Sequence, residues 1–298
     1  MQFGVLPPDG KGEGTAKLFN VGTQPLRIKA TRGSCSCVDA PSLAGQTIAP
    51  GESIQFKTGM RMKSGLGEKH QRFVLFFDGV QVPVFYDLRA EVSLPVRVSP
   101  PHLDAVAALS GTVQVSSLDG KPFSILAANR KPPAFEGFTP GTDSPRNSYV
   151  LRWDITEDDR AGNVPWFFVL EADRADCPVV DVRIRHNMTK PDRPQGRPWE
   201  PGDQRFLVGE IKPNEPIELI THLEYAGNIT PSVQGAGVRS ESAQLDAEFV
   251  EAWVDGQDLN IRFRVTPKQA APGLLYERLS VNSGGFPTPI YIIGRVAR

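Results

Sequence analysis

The 298-residue chain carries 33 Lys and Arg against 34 Asp and Glu, a net charge of -1. That balance excludes a nucleic-acid binder held by bulk positive charge and argues against an acidic disordered tail. Hydrophobic residues at 40% supply material for packed cores, while 28 Gly and 27 Pro punctuate turns and interrupt helices, so short strands are favoured over long helices.

The opening Met1-Gln2-Phe3-Gly4-Val5 already reads as a strand, without the frayed polar residues usual at a terminus. A leader removed ahead of it is therefore expected. The chain shows neither a basic-then-apolar signal segment nor the ~18 apolar residues that cross a bilayer. A strand from Gly14 runs into an Asn20-Val21-Gly22 turn, and Pro25-Leu26-Arg27-Ile28 starts the next, which ends at Gly33-Ser34-Cys35-Ser36-Cys37. Ile48-Ala49-Pro50-Gly51-Glu52-Ser53 is a turn leading into an alternating strand, the pattern of a half-buried sheet face. Residues 73–92 then give an apolar strand, a Gly-bearing turn, Pro83 and a second strand. The same hairpin pattern returns at 166–187 around Pro178 and at 275–296 around Pro287 and Pro289. A hairpin recurring about every ~100 residues has the spacing of Ig-type sandwiches.

Residues 111–116, 148–155 and 259–265 add strands of period-two alternation, and 211–219 echo the Pro-Gly turn and strand of 48–56. The best helix candidate, 102–109, is barely two turns. Residues 188–204, with Pro191, Pro194, Pro198 and Pro201, read as an extended spacer. The predicted fold is all-β, with tandem Ig-like β-sandwich domains, three in number. They occupy 1–95, 96–187 and 205–298, with the Pro-rich linker at 188–204. The first two are tightly joined, and the spacer holds off the third.

Taken together, Asn20-x-Gly22, Pro25-Leu26-x-Ile28, Ser34-Cys35-Ser36-Cys37-Val38 and Pro50-Gly51-Glu52 resemble a bacterial family of unknown function with Hydin-type Ig-like repeats. Its members carry Asn-x-Gly, Pro-Leu-x-Ile, Ser-Cys-Gly-Cys-Thr and Pro-Gly-Glu in this order. The resemblance covers roughly residues 2–98 well and the later repeats loosely. Here Ser36 and Val38 replace the central Gly and final Thr of the cysteine motif, and the later repeats have no Cys pair. The resemblance implies a seven- to eight-stranded sandwich and export behind a signal peptide or lipid anchor. It implies no reaction.

The chemistry-bearing residues are few. Two residues apart on a strand, Cys35 and Cys37 would sit ~7 Å apart on one face, so a disulfide between them needs a turn or bulge. As thiolates they could hold a soft metal, and Met60, Met62 and His70 downstream complete the candidate metal set. The plain reading is that free Cys and Met pack as hydrophobes. Cys177 is expected in a core. The four histidines follow no ligand spacing, and there is no Gly-x-Ser-x-Gly elbow or phosphate loop. Glu157-Asp158-Asp159 and Asp173-Arg174-Ala175-Asp176 read as solvated turns rather than Ca²⁺ loops. The sequons at Asn187 and Asn228 are expected to be unmodified. Trp153 and Trp253 are expected to face cores, and Trp199 to be exposed or wedged between domains.

The sequence thus predicts a non-enzymatic, extracytoplasmic structural or interaction protein without a cofactor. It is expected to be a monomer in the periplasm, on the cell surface or secreted, although the residues alone leave cytoplasmic residence open. Its partner would be a protein or cell-envelope component, not nucleic acid. The alternative is a thiol- or soft-metal-handling protein using Cys35 and Cys37.

Overall fold

The computed structural model describes all residues except 36, 63–65, 158, 160–163, 190–198, 203, 226–231, 269–270 and 298. Contacts divide the chain into two compact units, Met1–Leu94 and Pro95–Arg298. The fold is all-β and Ig-like. Its described strands form six sheets, two in the first unit and four in the second. No helix among the described residues is long and apolar enough to cross a membrane.

In the first unit the strands are β1 (Gln2–Leu6), β2 (Lys11–Phe19), β3 (Leu26–Gly33), β4 (Val38–Asp39), β5 (Thr47–Ile48), β6 (Ser53–Arg61), β7 (Gly67–Phe77) and β8 (Val84–Val92). A five-stranded sheet ordered β1-β8-β7-β3-β5 faces a three-stranded sheet ordered β2-β6-β4. Alternation decides which side chains go inward: Phe73, Leu75 and Phe77 of β7 are buried while their neighbours are not. They meet Ile28, Phe56 and Leu88 in one core. There Phe73 stacks on Tyr86 at 5.0 Å between centroids, and Phe56 stands edge-on to Phe73 at 5.8 Å. Glycine has a steric purpose in β2: a Cβ at Gly12 would come within 2.5 Å of the Phe3 ring of β1.

The second unit begins with β9 (Val96–Ser99), β10 (His102–Asp104), β11 (Ser110–Ser117), β12 (Ile125–Ala128), β13 (Phe135–Glu136), β14 (Ser148–Asp154), β15 (Phe167–Ala172) and β16 (Val179–Arg185). They form sheets ordered β13-β14-β11-β9 and β10-β16-β15-β12. After a 3-10 turn at Asn187–Thr189 come β17 (Trp199–Pro201), β18 (Arg205–Ile211), β19 (Ile217–Tyr225) and β20 (Gly237–Ser240). The chain finishes with β21 (Leu245–Asp255), β22 (Asp258–Pro267), β23 (Gly273–Ser283) and β24 (Phe286–Val296). These pair as β17-β19-β22-β21 and β18-β24-β23-β20. One wiring recurs three times: an early strand lies parallel to the closing strand, as β1–β8, β10–β16 and β18–β24.

The three hairpins read from the sequence are the antiparallel pairs β7–β8, β15–β16 and β23–β24. The echo between residues 48–56 and 211–219 proves to be shared turn chemistry rather than an equivalent place in a repeat. Gly51 and Asn214 both adopt positive φ, 76° and 61°. But Pro50-Gly51 leads from β5 into β6, between β2 and β4, whereas Pro213-Asn214 leads from β18 into β19, between β17 and β22.

Three expectations are corrected. The helix at 102–109 is instead β10 followed by a single turn, because the Asp104 carboxylate accepts from the amides of Val106 and Ala107 at 3.1 Å. Trp253 does not face the core: a bulge between Phe249 and Glu251 shifts the parity of β21. Ala252 and Val254 therefore pack inward, and the guanidinium of Arg262 lies 5.3 Å from the Trp253 ring centroid. Trp199 is 1% exposed, at the end of a strand inside the last core, with its Nε1 donating to Gln257 O at 3.1 Å. Of the spacer expected at 188–204, residues 190–198 and 203 lie outside the described residues, and with them Pro191, Pro194 and Pro198, whereas Pro201 ends β17. Trp153 and Cys177 are buried as expected, at 6% and 3%.

Candidate functional site

The cysteine turn lies where the chain leaves β3 in the five-stranded sheet for β4 in the three-stranded one. The Val38 amide donates to Cys35 O at 3.2 Å, which folds the backbone and brings the two Cα atoms to 5.2 Å. This is the turn that a bridge requires, and the two sulfurs are joined as a disulfide. Both cysteines are half-buried and pack against the first core, which contains Met60 and Met62 at 1% and 5% exposure.

Four of the five candidate metal ligands, Cys35, Cys37, Met60 and Met62, thus share one region, and His70 does not. Parity on β7 places His70 with Arg72 on the face opposite Phe73. Its Nε2 lies 2.7 Å from Asp87 Oδ1, and this contact holds the Asp87 carboxyl below the usual carboxylate range. With their sulfurs bonded to each other, neither cysteine offers a thiolate to a metal in this state. Among the described residues, no group of three or more His, Cys, Asp and Glu side chains could hold a metal ion.

The second place is a loop end of the first unit. The Asn20 side chain is 1% exposed, and its amide nitrogen donates to the carbonyls of Gln24 and Ile48, both at 2.8 Å. The Asn20 backbone exchanges hydrogen bonds with Glu52 and Gly51, each 2.9 Å, while Asp78 N donates to Arg27 O at 2.9 Å. These contacts gather the β2–β3, β5–β6 and β7–β8 turns at one end. The apolar side chains there are left outside: Val21 is 97% exposed, Val82 74%, Phe19 58% and Val80 43%. The Asn20 turn was legible in the sequence; its apolar tip was not singled out, although Val80 and Val82 inside a Gly-bearing turn carry the signal.

The third place joins the sheets of the second unit. Strands buried on both faces read as continuous apolar runs, and β15 is buried at every position, as are the first four residues of β16. Their outer face packs on β23 and β24 through Phe167, Val169, Val179, Leu274, Tyr291 and Ile293. Trp166 and Tyr291 lie 5.2 Å apart, and the Arg183 guanidinium sits 4.0 Å from the Trp166 centroid. Burial pushes Arg183 down to about 10 and Tyr291 up to about 12. The Phe167 amide donates to Tyr276 Oη at 3.0 Å, and Arg295 donates to Ala172 O at 2.6 Å. Arg205 pairs with Asp181, their side chains 7% and 1% exposed. The sequence signal was the lack of alternation at 167–172 and 290–293, which marks strands covered on both sides.

The acidic loops have ordinary partners. Arg174 donates to both oxygens of Asp119 at 2.9 and 3.1 Å, and to Asp176 at 2.9 and 2.8 Å. Asp159 accepts from the Thr156 amide and hydroxyl at 2.9 and 2.7 Å; Asp158 lies outside the described residues, as does the sequon at 228–230. The Arg174 hydrogen bonds hold both Asp119 and Asp176 below the usual carboxylate range. A carboxylate whose folded pKa is depressed adds stability above its unfolded value, and that contribution is lost as pH falls through the folded value. The unfolding midpoint of the native chain should therefore fall as the pH drops below about 4. In Arg174→Gln that acid-dependent loss should be visibly flatter, as read by thermal melts across the range.

Likeness to known proteins is confined to fold and to the first unit. Among solved structures, an endo-fucoidan hydrolase from glycoside hydrolase family 107 aligns at 12% identity and a TM-score of 0.23, over 98% of this chain. The chain spans only 42% of that enzyme's length. An I-band fragment of titin aligns at 9% identity and a TM-score of 0.23, over 100% of this chain and 95% of its own. Extracellular domains 3–5 of Drosophila OTK align at 11% identity and a TM-score of 0.21, over 99% and 94%. Likeness at this level carries nothing about activity. No curated protein matches the sequence. Residues 1–92 match the model of a family described as "Protein of unknown function (DUF1573)".

Proposed function

We propose that the chain is a non-enzymatic, extracytoplasmic interaction protein whose first unit presents its apolar loop end to a protein or cell-envelope partner. The observation that carries this reading is the exposure of Val21, Val82, Phe19 and Val80 around the end of the sandwich where the buried Asn20 joins the β2–β3 turn to the β5–β6 turn. Exposed apolar side chains gathered on loops at one end of a sandwich favour a partner surface, because such loops can specialise while the sheets stay fixed. The Cys35–Cys37 disulfide supports an oxidising compartment. The Hydin-type resemblance supports bacterial export. In this reading the chain has three Ig-like repeats, at 1–95, 96–187 and 205–298; the last two pack on each other through β15, β16, β23 and β24, where the sequence suggests a spacer holding them apart.

The test is a photo-crosslinking amino acid placed at Val21 or Val82 in the intact cell of origin. A discrete adduct at these sites, absent when the probe replaces Lys17 on the exposed side of β2, supports the assignment. No adduct at the tips, or equal labelling at all three positions, overturns it.

A further inference from the structure

We infer that Cys35 and Cys37 form a thiol–disulfide exchange site that takes two electrons from a dithiol. Three observations carry this. The bridge spans a sequence separation of 2, so it closes a very small ring. Because the chain entropy removed by a cross-link grows with loop length, this bond constrains the unfolded chain very little.

The turn is also held without the bond. Ser34 N donates to Arg72 O at 2.9 Å on one flank, and Arg61 N donates to Cys37 O at 2.8 Å on the other. The Ser34 hydroxyl further meets Gln71 Oε1 at 2.8 Å. Once the sulfurs part, these anchors keep the two thiols side by side and ready to close again. Finally, the pair is half-buried rather than sealed in the core, whereas Cys177 is 3% exposed and burial pushes its thiol up to about 11. Exchange requires an accessible sulfur, so a half-buried pair is open to it in a way that the sealed Cys177 is not.

The step balances with the dithiol as reductant. A thiolate of the dithiol attacks one sulfur of the pair, breaking the S–S bond and forming a mixed disulfide. The released cysteine sulfur leaves as a thiolate and takes up a proton. The second thiol of the dithiol then attacks the mixed disulfide, forming the dithiol's own S–S bond and releasing the other cysteine, which is protonated in turn. Two electrons and two protons pass to the chain, and the dithiol is oxidised.

The experiment uses the full folded chain, dithiothreitol as the dithiol, and maleimide trapping read by intact mass, with no denaturant. The expected result is two maleimides per chain, with Cys177 unmodified. Reduction should move the thermal midpoint by less than about 5 °C. Oxidation of a dithiol peptide by the native chain should exceed that by equimolar oxidised glutathione more than about tenfold, and Cys35→Ser with Cys37→Ser should abolish it. Labelling only after denaturation overturns the inference, as does a larger midpoint shift, which would mark a structural staple. So does a peptide-oxidation rate at or below that threshold or unchanged in the double variant. Loss of the crosslink at Val21 and Val82 leaves each of these readouts untouched, so the two proposals stand or fall separately.

Discussion

Arg205→Leu is expected to destabilise the second unit by about 3–5 kcal/mol, because it leaves the Asp181 carboxylate buried at 1% exposure without its cation. In a unit of this size that corresponds to a fall of roughly 6–20 °C in the melting midpoint of Pro95–Arg298. Arg205 is paired with Tyr291 across β18–β24 and Asp181 with Val169 across β15–β16, both members of the apolar cluster between the sheets, so water cannot fill in for the lost guanidinium without disturbing apolar packing. The double variant Asp181→Leu with Arg205→Leu should recover most of that loss, since two apolar residues remove both the charge and its need for a partner. Denaturant melts of the two singles and the double give the coupling between them. Equal losses in Arg205→Leu and the double variant would show that packing, not the charge pair, sets the cost.

Trp199→Ala should cost about 3–5 kcal/mol in the same unit, the usual loss for emptying a large buried ring. The indole is 1% exposed and packs in a core with Leu223, Leu259, Ile261 and Phe263. The Gln257 carbonyl also loses the indole N–H as its donor. Trp199→Phe should recover part of the packing and none of that hydrogen bond. A near-neutral Trp199→Ala in chemical denaturation would return the residue to the exposed position that its proline-rich surroundings suggest.

The strands were legible wherever one face is covered and the other is wet, because period-two alternation then records both neighbours of the sheet. This held for β11, β14 and β22, whereas the hairpins that close each repeat were read from an apolar strand, a turn and a proline. It failed for three physical reasons. At β21 an extra residue changed the parity midway, which no count of alternating positions registers. At β10 a short apolar segment after two prolines looked like the start of a helix, and only its pairing with β16 makes it a strand. At β15, β16 and β24 the continuous apolar runs were read as hairpins, while their second meaning, a face covered by another sheet, went unread. The cysteine pair was half legible. Spacing indicated that a bridge needs a turn, but the turn rests on contacts to β6 and β7, far away in sequence. His70 was joined to the metal set by chain order alone, and strand parity already placed it on the other side of the sheet.

The parallel pairing of β1 with β8 has a mechanical consequence. Both strands run the same way, with Gln2 beside Arg89 and Leu6 beside Val92. Tension applied between Met1 and Leu94 therefore slides them past each other and strains every bond of the ladder at once, where a hairpin would unzip bond by bond. The β18–β24 pair repeats this geometry over seven and eleven residues. Under such tension the lifetime of each sandwich would be set by how fast its ladder ruptures rather than by its equilibrium stability.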